Sequence, residues 1–250
     1  MIEIDPKITD ILWFDLDDTL VDFRHNSRVA MEEIFESSVL KDWYQSFYEW
    51  WEAYEPVNNS LWSLFNHGQI TAEQLRTDRF TVPLVSAGMD EATANRLAPL
   101  LDRNYLEILA LQKTTIPGAK ELLGEIKENN LLTGVLSNGF NGIQQEKLRS
   151  AGLSELIDIT VLSDDIGINK PDERLYKYAM ERSGIHDPGG HLMIGDNPVT
   201  DIAGALNAGW RAVLFDRHNM LFAPENADRI TDFSQIEVKK CISGAKIMQK

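Results

Sequence analysis

The chain has 250 residues, 43% hydrophobic and 25% charged, with a net charge of −15, as expected for a soluble globular protein of one large domain or two smaller ones. That acidic balance argues against non-specific binding to nucleic acid polymers or anionic membranes, but not against a small anionic substrate, because a bound cation reverses the local field. Cys241 is the single cysteine, so no intrachain disulfide can form and a reducing, cytoplasmic setting is expected. The opening MIEIDPKITD has no apolar core of a signal peptide, and no stretch approaches the ~18 uninterrupted apolar residues of a membrane helix.

Thr9 to Phe14 reads as a short buried strand, and it runs into three crowded carboxylates, Asp15, Asp17 and Asp18. From Asn26 to about Gln112 the pattern is helical throughout. Asn26 or Ser27 can cap a helix whose apolar face is Ala30, Met31, Ile34 and Phe35. Thr71 to Gln74 fits a capping box, Gly88 sits where that helix should end, and Asp90 can start the next. After Pro117-Gly118 helices and strands alternate: helix 119–128, strand LLTGVLS, helix 142–151, strand 157–162, helix 172–183, strand HLMIG, helix 199–208 and strand RAVLF. Such alternation implies a doubly wound, Rossmann-like parallel sheet covered by helices on both faces. The simplest architecture is an α/β core, residues 1–20 and 113–250, with an all-helical domain of about 90 residues (21–112) inserted after the first strand.

Parallel sheets bind ligands at the carboxyl ends of their strands. There the sequence places Asp15 and Asp17 after ILWF, Ser137-Asn138-Gly139 after LLTGVL, Lys170 in SDDIGINKPD, and Asp196 with Asp201 after HLMIG. Crowded carboxylates raise one another's pKa unless a divalent cation joins them. All-oxygen donors without flanking His or Cys favour Mg2+ over zinc. Ser137, the backbone amides around Asn138 and Gly139, and the Lys170 ammonium suit a phosphoryl group. Together these parts suit phosphoryl transfer, in which an aspartate can attack phosphorus.

The motifs DLDDTL, LSNG, NKPD and GDNPVTD, in that order, resemble the four signature motifs of the haloacid dehalogenase superfamily, and the helical insertion resembles its C1-type cap. The resemblance implies that Asp15 is the nucleophile and that Asp17 protonates the leaving oxygen and then deprotonates water. Ser137, Asn138 and Lys170 would bind the phosphoryl group. Asp196 would hold Mg2+ with Asp15 and the Asp17 backbone carbonyl, and Asp201 would orient Lys170 or the metal's waters. A carboxylate at position 17 points to phosphate chemistry rather than dehalogenation. Within the phosphatases, DLDDTLVDF and LWSLFNHGQITAEQLRTDRF resemble the 5′-nucleotidases of this superfamily that act on pyrimidine and noncanonical nucleotides. The alternatives are a phosphatase or mutase of sugar phosphates or other small phosphometabolites, a 2-haloacid dehalogenase, and a non-catalytic binder of phosphorylated ligands. A monomer or homodimer is expected.

The aromatic run WYQSFYEWWEAY (43–54) reads first as helical core or dimer contact. Its sharper reading has Trp43 or Phe47, with Trp62 or Phe65, stacking on a base above the strand ends. Asp18, Asp164 and Asp165 read as local hydrogen-bonding groups, although Asp164 or Asp165 could support the metal's waters. The five histidines fit no metal or triad spacing, and Cys241 reads as packing.

Overall fold

The computed structural model describes residues 1–240, so Cys241 lies outside the described residues. The chain opens with β1 (Ile2–Ile4) and β2 (Ile11–Phe14), followed by α1 (Phe23–Ser37), α2 (Phe47–Asn66), α3 (Ala72–Ser86) and α4 (Glu91–Ala110). It continues through α5 (Ala119–Glu128), β3 (Leu132–Ser137), α6 (Ile143–Ser150), β4 (Ile159–Leu162), α7 (Glu173–Ser183) and β5 (His191–Gly195). The last described elements are α8 (Gly204–Asn207), β6 (Arg211–Phe215), β7 (Asp228–Ile230) and β8 (Ile236–Val238). Six strands form one parallel sheet in the order β4-β3-β2-β5-β6-β7, while β1 pairs with β8. The expected α/β class with helices on both faces is what the chain adopts. Among the described residues, no helix is long and apolar enough to cross a membrane.

Side-chain alternation along β2 explains the layers. Leu12 and Phe14 enter one apolar cluster with Leu122, Leu123 and Ile126 of α5. Ile11 and Trp13 enter the opposite one with Leu175 and Tyr176 of α7 and with Trp210. All four residues of β2 are fully buried, as a strand between β3 and β5 must be. A third cluster belongs to the four inserted helices, where Ala30, Met31, Ile34 and Phe35 of α1 meet Trp50, Tyr54, Phe80 and Tyr105.

Several local expectations hold to the residue. Thr71 and Gln74 make the reciprocal capping box, Asp90 caps α4, and Gly88 lies at φ +102° just past α3. Others shift. Helix α1 begins earlier, capped by Asp22, whose side chain accepts from His25 N, so Asn26 and Ser27 lie inside it. The aromatic run is not one helix: Ser46 caps α2, which leaves Trp43 outside it. The single helix expected over 199–208 is a wide π-type turn, Pro198–Ala203, followed by the short α8. Asn197 causes this, since its side chain accepts from both Val199 N and Thr200 N and its carbonyl accepts from Ile202 N. Strands β1, β7 and β8 have only three residues each, too short for an alternating pattern to register.

Gly134 faces Trp13 across the β2–β3 pair, and a Cβ there would sit inside the indole's contact surface. Gly134→Ala should therefore destabilise the protein by about 1–3 kcal/mol through overpacking, measured by denaturant unfolding. An unchanged midpoint would show that the Trp13 layer yields freely.

Candidate active site

The sheet order places β2 between β3 and β5, so the residues that follow these three strands meet at one rim. Asp15 follows β2 directly and is 8% exposed. The Lys170 ammonium, 2% exposed, donates to Asp15 Oδ1 at 2.6 Å, Asp201 Oδ1 at 2.6 Å and the Leu136 carbonyl at 2.7 Å. Its three N–H groups are thus all engaged. Asp201 also accepts from Asn197 N through Oδ2 at 3.0 Å. The Lys170 loop is latched by Asn138, which accepts from Lys170 N at 2.7 Å and donates to Lys170 O at 3.0 Å.

Ser137 ends β3 with its hydroxyl accepting from Gln144 Nε2 at 2.8 Å and from Gly139 N at 3.2 Å. With both lone pairs taken, its O–H remains as a donor. The Asp17 carboxylate turns toward α6, where Lys147 Nζ donates to both its oxygens at 2.8 and 3.0 Å and Gln144 Nε2 donates to Oδ2 at 2.9 Å. Neither Gln144 nor Lys147 stood out in the sequence. The available signal was their i, i+3 spacing on the helix that follows LSNG.

Charge is poorly compensated at this rim. Burial pushes the Asp15 carboxyl up to about 7; Lys170 opposes that rise, while Asp201 and Asp17 add to it. Burial, then Asp201, Asp15 and Asp18, drives Asp196 well above the usual carboxylate range. Burial works against the Lys170 charge, yet Asp15 and Asp201 hold its pKa above the ordinary lysine value. Asp15, Asp196 and Asp201 each present a carboxylate oxygen within 4.8 Å of the others, a hard-oxygen set that could hold a divalent cation. Because Asp201 already binds Lys170 and Asn197, Asp15 and Asp196 are the freer pair.

These residues open onto a cleft of about 510 Å3 whose far side is built by α2, α3 and α4, including Asn58, Trp62, Asn66, Arg79 and Tyr105. Trp62 packs beside Phe140 at 5.6 Å between ring centroids, and Phe65 lies 6.2 Å from Phe140. Trp43 and Phe47 do not line this cleft. Phe47 is packed against Phe35 and Trp51 inside the helical cluster, and Trp43 follows a separate turn at residues 39–42. Asp18 accepts from Arg24 N and Asp165 from Leu162 N, both local bonds as expected, whereas Asp164 accepts from Asn141 N, 23 positions away, and so ties the loop after β4 to the loop after β3. His191 is buried, stacked on Trp13 and accepting its indole N–H.

Residues 9–209 match the family model of the haloacid dehalogenase-like hydrolases. The chain is 32% identical over 213 residues to pyrimidine 5′-nucleotidase YjjG of Escherichia coli, covering 84% of this chain and 87% of that one. It is 30% identical to a phosphoserine phosphatase of Thermus thermophilus, covering 83% and 88%. Among solved structures, the HAD-hydrolase YfnB from Bacillus subtilis bound to magnesium superposes with a TM-score of 0.78 at 25% identity, covering 91% of this chain and 96% of that one.

Removing the Lys170 charge would leave Asp15 and Asp201 buried without their counter-ion. Lys170→Met should cost about 3–5 kcal/mol of stability, read by chemical denaturation. A loss below about 1 kcal/mol would mean that water reaches these carboxylates.

Proposed function

We propose, from the premise that this chain belongs to the haloacid dehalogenase-like hydrolases, that it is a Mg2+-dependent phosphomonoesterase of nucleoside 5′-monophosphates working through a phospho-aspartate on Asp15. The observation that carries this reading is the convergence of Asp15, Asp17, Ser137, Lys170, Asp196 and Asp201 on one cleft, where the upward-driven carboxyls of Asp15 and Asp196 have oxygens within 4.8 Å of each other.

An all-oxygen donor set with excess negative charge fits Mg2+. Asp15, Asp196 and the Asp17 main-chain carbonyl would hold it, and when bound it would neutralise charge on the transferring phosphoryl group. The Asp15 carboxylate attacks phosphorus, and the ester P–O bond breaks as Asp17 gives the leaving oxygen a proton. Water then attacks the phospho-aspartate, its proton passes to Asp17, and the P–O bond to Asp15 breaks to release inorganic phosphate. The free Ser137 O–H donates to a phosphoryl oxygen. Lys170, anchored on Asp201, keeps its charge beside the Asp15 oxygen to which it is bonded.

The four helices act as the cap, residues 21–112, on a core of 1–20 and 113–250, and exclude water from the reacting oxygen. The nucleoside assignment draws on the nucleotidase relative and on the cleft itself. Trp62 and Phe140 offer apolar faces for a base, while Asn58, Asn66 and Arg79 offer polar groups for its edge. A phosphoserine-sized leaving group would leave much of about 510 Å3 unfilled.

A panel of nucleoside monophosphates, sugar phosphates and phosphoserine should show Mg2+-dependent phosphate release that EDTA removes, greatest for the nucleotides. No release from any of them, nor from p-nitrophenyl phosphate, would falsify the assignment. Asp15→Asn should abolish turnover with the melting temperature retained; an active variant rules out Asp15 as nucleophile. The pH dependence has a definite sign. Asp15 in the folded chain has a pKa of about 7 against an ordinary 3.8, so this group's contribution to cation-free stability is fully present at low pH and is lost as pH rises through 7. Cation binding needs the ionised carboxylate and strengthens over the same window. The Mg2+-induced rise in melting temperature should accordingly be larger at about pH 8 than at about pH 5.5; equal shifts would contradict it.

A further inference from the structure

We infer that Lys147, assisted by Gln144, is a positioning residue that sets the Asp17 carboxylate for both of its proton transfers; this rests on the phosphatase reading above. Lys147 is 6% exposed and Gln144 fully buried. A buried ammonium needs a counter-charge, and Lys147 meets it in Asp17 alone among the described residues, touching both carboxylate oxygens. The ammonium also lies 4.8 Å from the centre of the Phe23 ring. Val21 and Phe23 from the chain entering the helices, with Leu109 and Gln112 from the chain leaving them, close in around Lys147 and Asp17. This cation is therefore held on several sides while Asp17, with a side chain 28% exposed, opens toward the cleft.

Gln144 ties the carboxylate to the phosphoryl-facing hydroxyl. One N–H of its amide goes to Asp17 Oδ2 and the other to Ser137 Oγ. Facing the ionised Asp17, which can only accept, the amide presents its N–H groups. Its Oε1 has no partner among the described residues, so these two N–H bonds are what the side chain is buried to make. Gly139 permits the arrangement, because a Cβ at that position would collide with the Gln144 side chain. One turn of α6 thereby fixes the distance between the group that binds the phosphoryl and the group that moves the proton. Positioning errors of this kind are costly in rate.

The two proton transfers make the role separable from simple support of the fold. The p-nitrophenolate ion leaves without a proton, whereas the alkoxide of a nucleoside needs one, and the phospho-aspartate needs a base whichever ester formed it. Wild type, Lys147→Met and Lys147→Arg are compared in the Mg2+-loaded full chain by rapid mixing with p-nitrophenyl phosphate and by steady-state turnover of a nucleoside monophosphate. For Lys147→Met the expected result is a nitrophenolate burst approaching one per enzyme, followed by a steady rate well below wild type. With the nucleotide, kcat should fall by about 100-fold, KM should change less than about threefold, and Lys147→Arg should recover most of kcat. A Lys147→Met variant with wild-type kinetics on both esters overturns the inference. So does a variant whose burst and steady phases fall together in step with a lowered melting temperature. An inactive wild type overturns the phosphatase reading, and this inference with it; an active wild type with an unaffected variant overturns this inference alone.

Discussion

Lys170 brings its charge to Asp15 from 155 positions further along the chain, and much of the core serves to make that meeting possible. A buried ammonium between two buried carboxylates is stable only if all three groups are held at bonding distance. Parallel strands β2, β3 and β5 supply that rigidity, with Asp15, the Leu136 carbonyl and the β5-following turn all at one rim. The wide turn at 198–203 belongs to the same arrangement, since it seats Asp201 under Lys170 while Asn197 satisfies the freed backbone donors. What the ammonium leaves uncompensated, on Asp15 and Asp196, is the charge a divalent cation would complete.

The core was readable because its elements repeat a strong pattern. Fully apolar β2, the strand HLMIG and the strand RAVLF are short buried runs bounded by turn residues, and each delivers a polar residue at its end. Helices α3 and α4 were legible from caps that the side chains do form. Trp43 misled because period alone cannot distinguish a continuous helix from one restarted at a Ser cap; only the Ser46–Glu49 bond locates the start of α2. Asp17 was legible as a chemical group but not in its contacts. Its partners are amphipathic residues on an ordinary-looking helix, where Gln and Lys are usually solvent-facing. Burial by other segments, which no local pattern records, gives them their character.

The inserted helices combine a dense apolar interior with a polar face toward the cleft. Buried Arg79 lies against the rings of Phe80 and Tyr105, 5.6 and 4.9 Å from their centroids, and is paired with Asp102 through its Nε. A guanidinium fixed in this way keeps its place without rotamer freedom. The end of α2 touches the rim loops directly: Asn66 accepts from Asn138, and the Phe65 carbonyl accepts from Asn169. The helices that would grip the leaving group thus share bonds with the loop that carries Lys170.

The helical insertion departs and returns at one point. Asp22 N bonds Thr114 O, Ile116 N bonds Leu20 O, and Val21 pairs antiparallel with Thr115. A segment whose two ends are already joined presents the sheet with the same short ribbon whatever lies beyond it, so lengthening or shortening the helices leaves the strand register in place, while the rim loops feel the change through the bonds that α2 makes to Asn138 and Asn169. An exchange of helices at Val21 and Thr115 therefore keeps the strand ends where they are and has only the contacts of Asn66 and Phe65 with the neighbouring loops to rebuild.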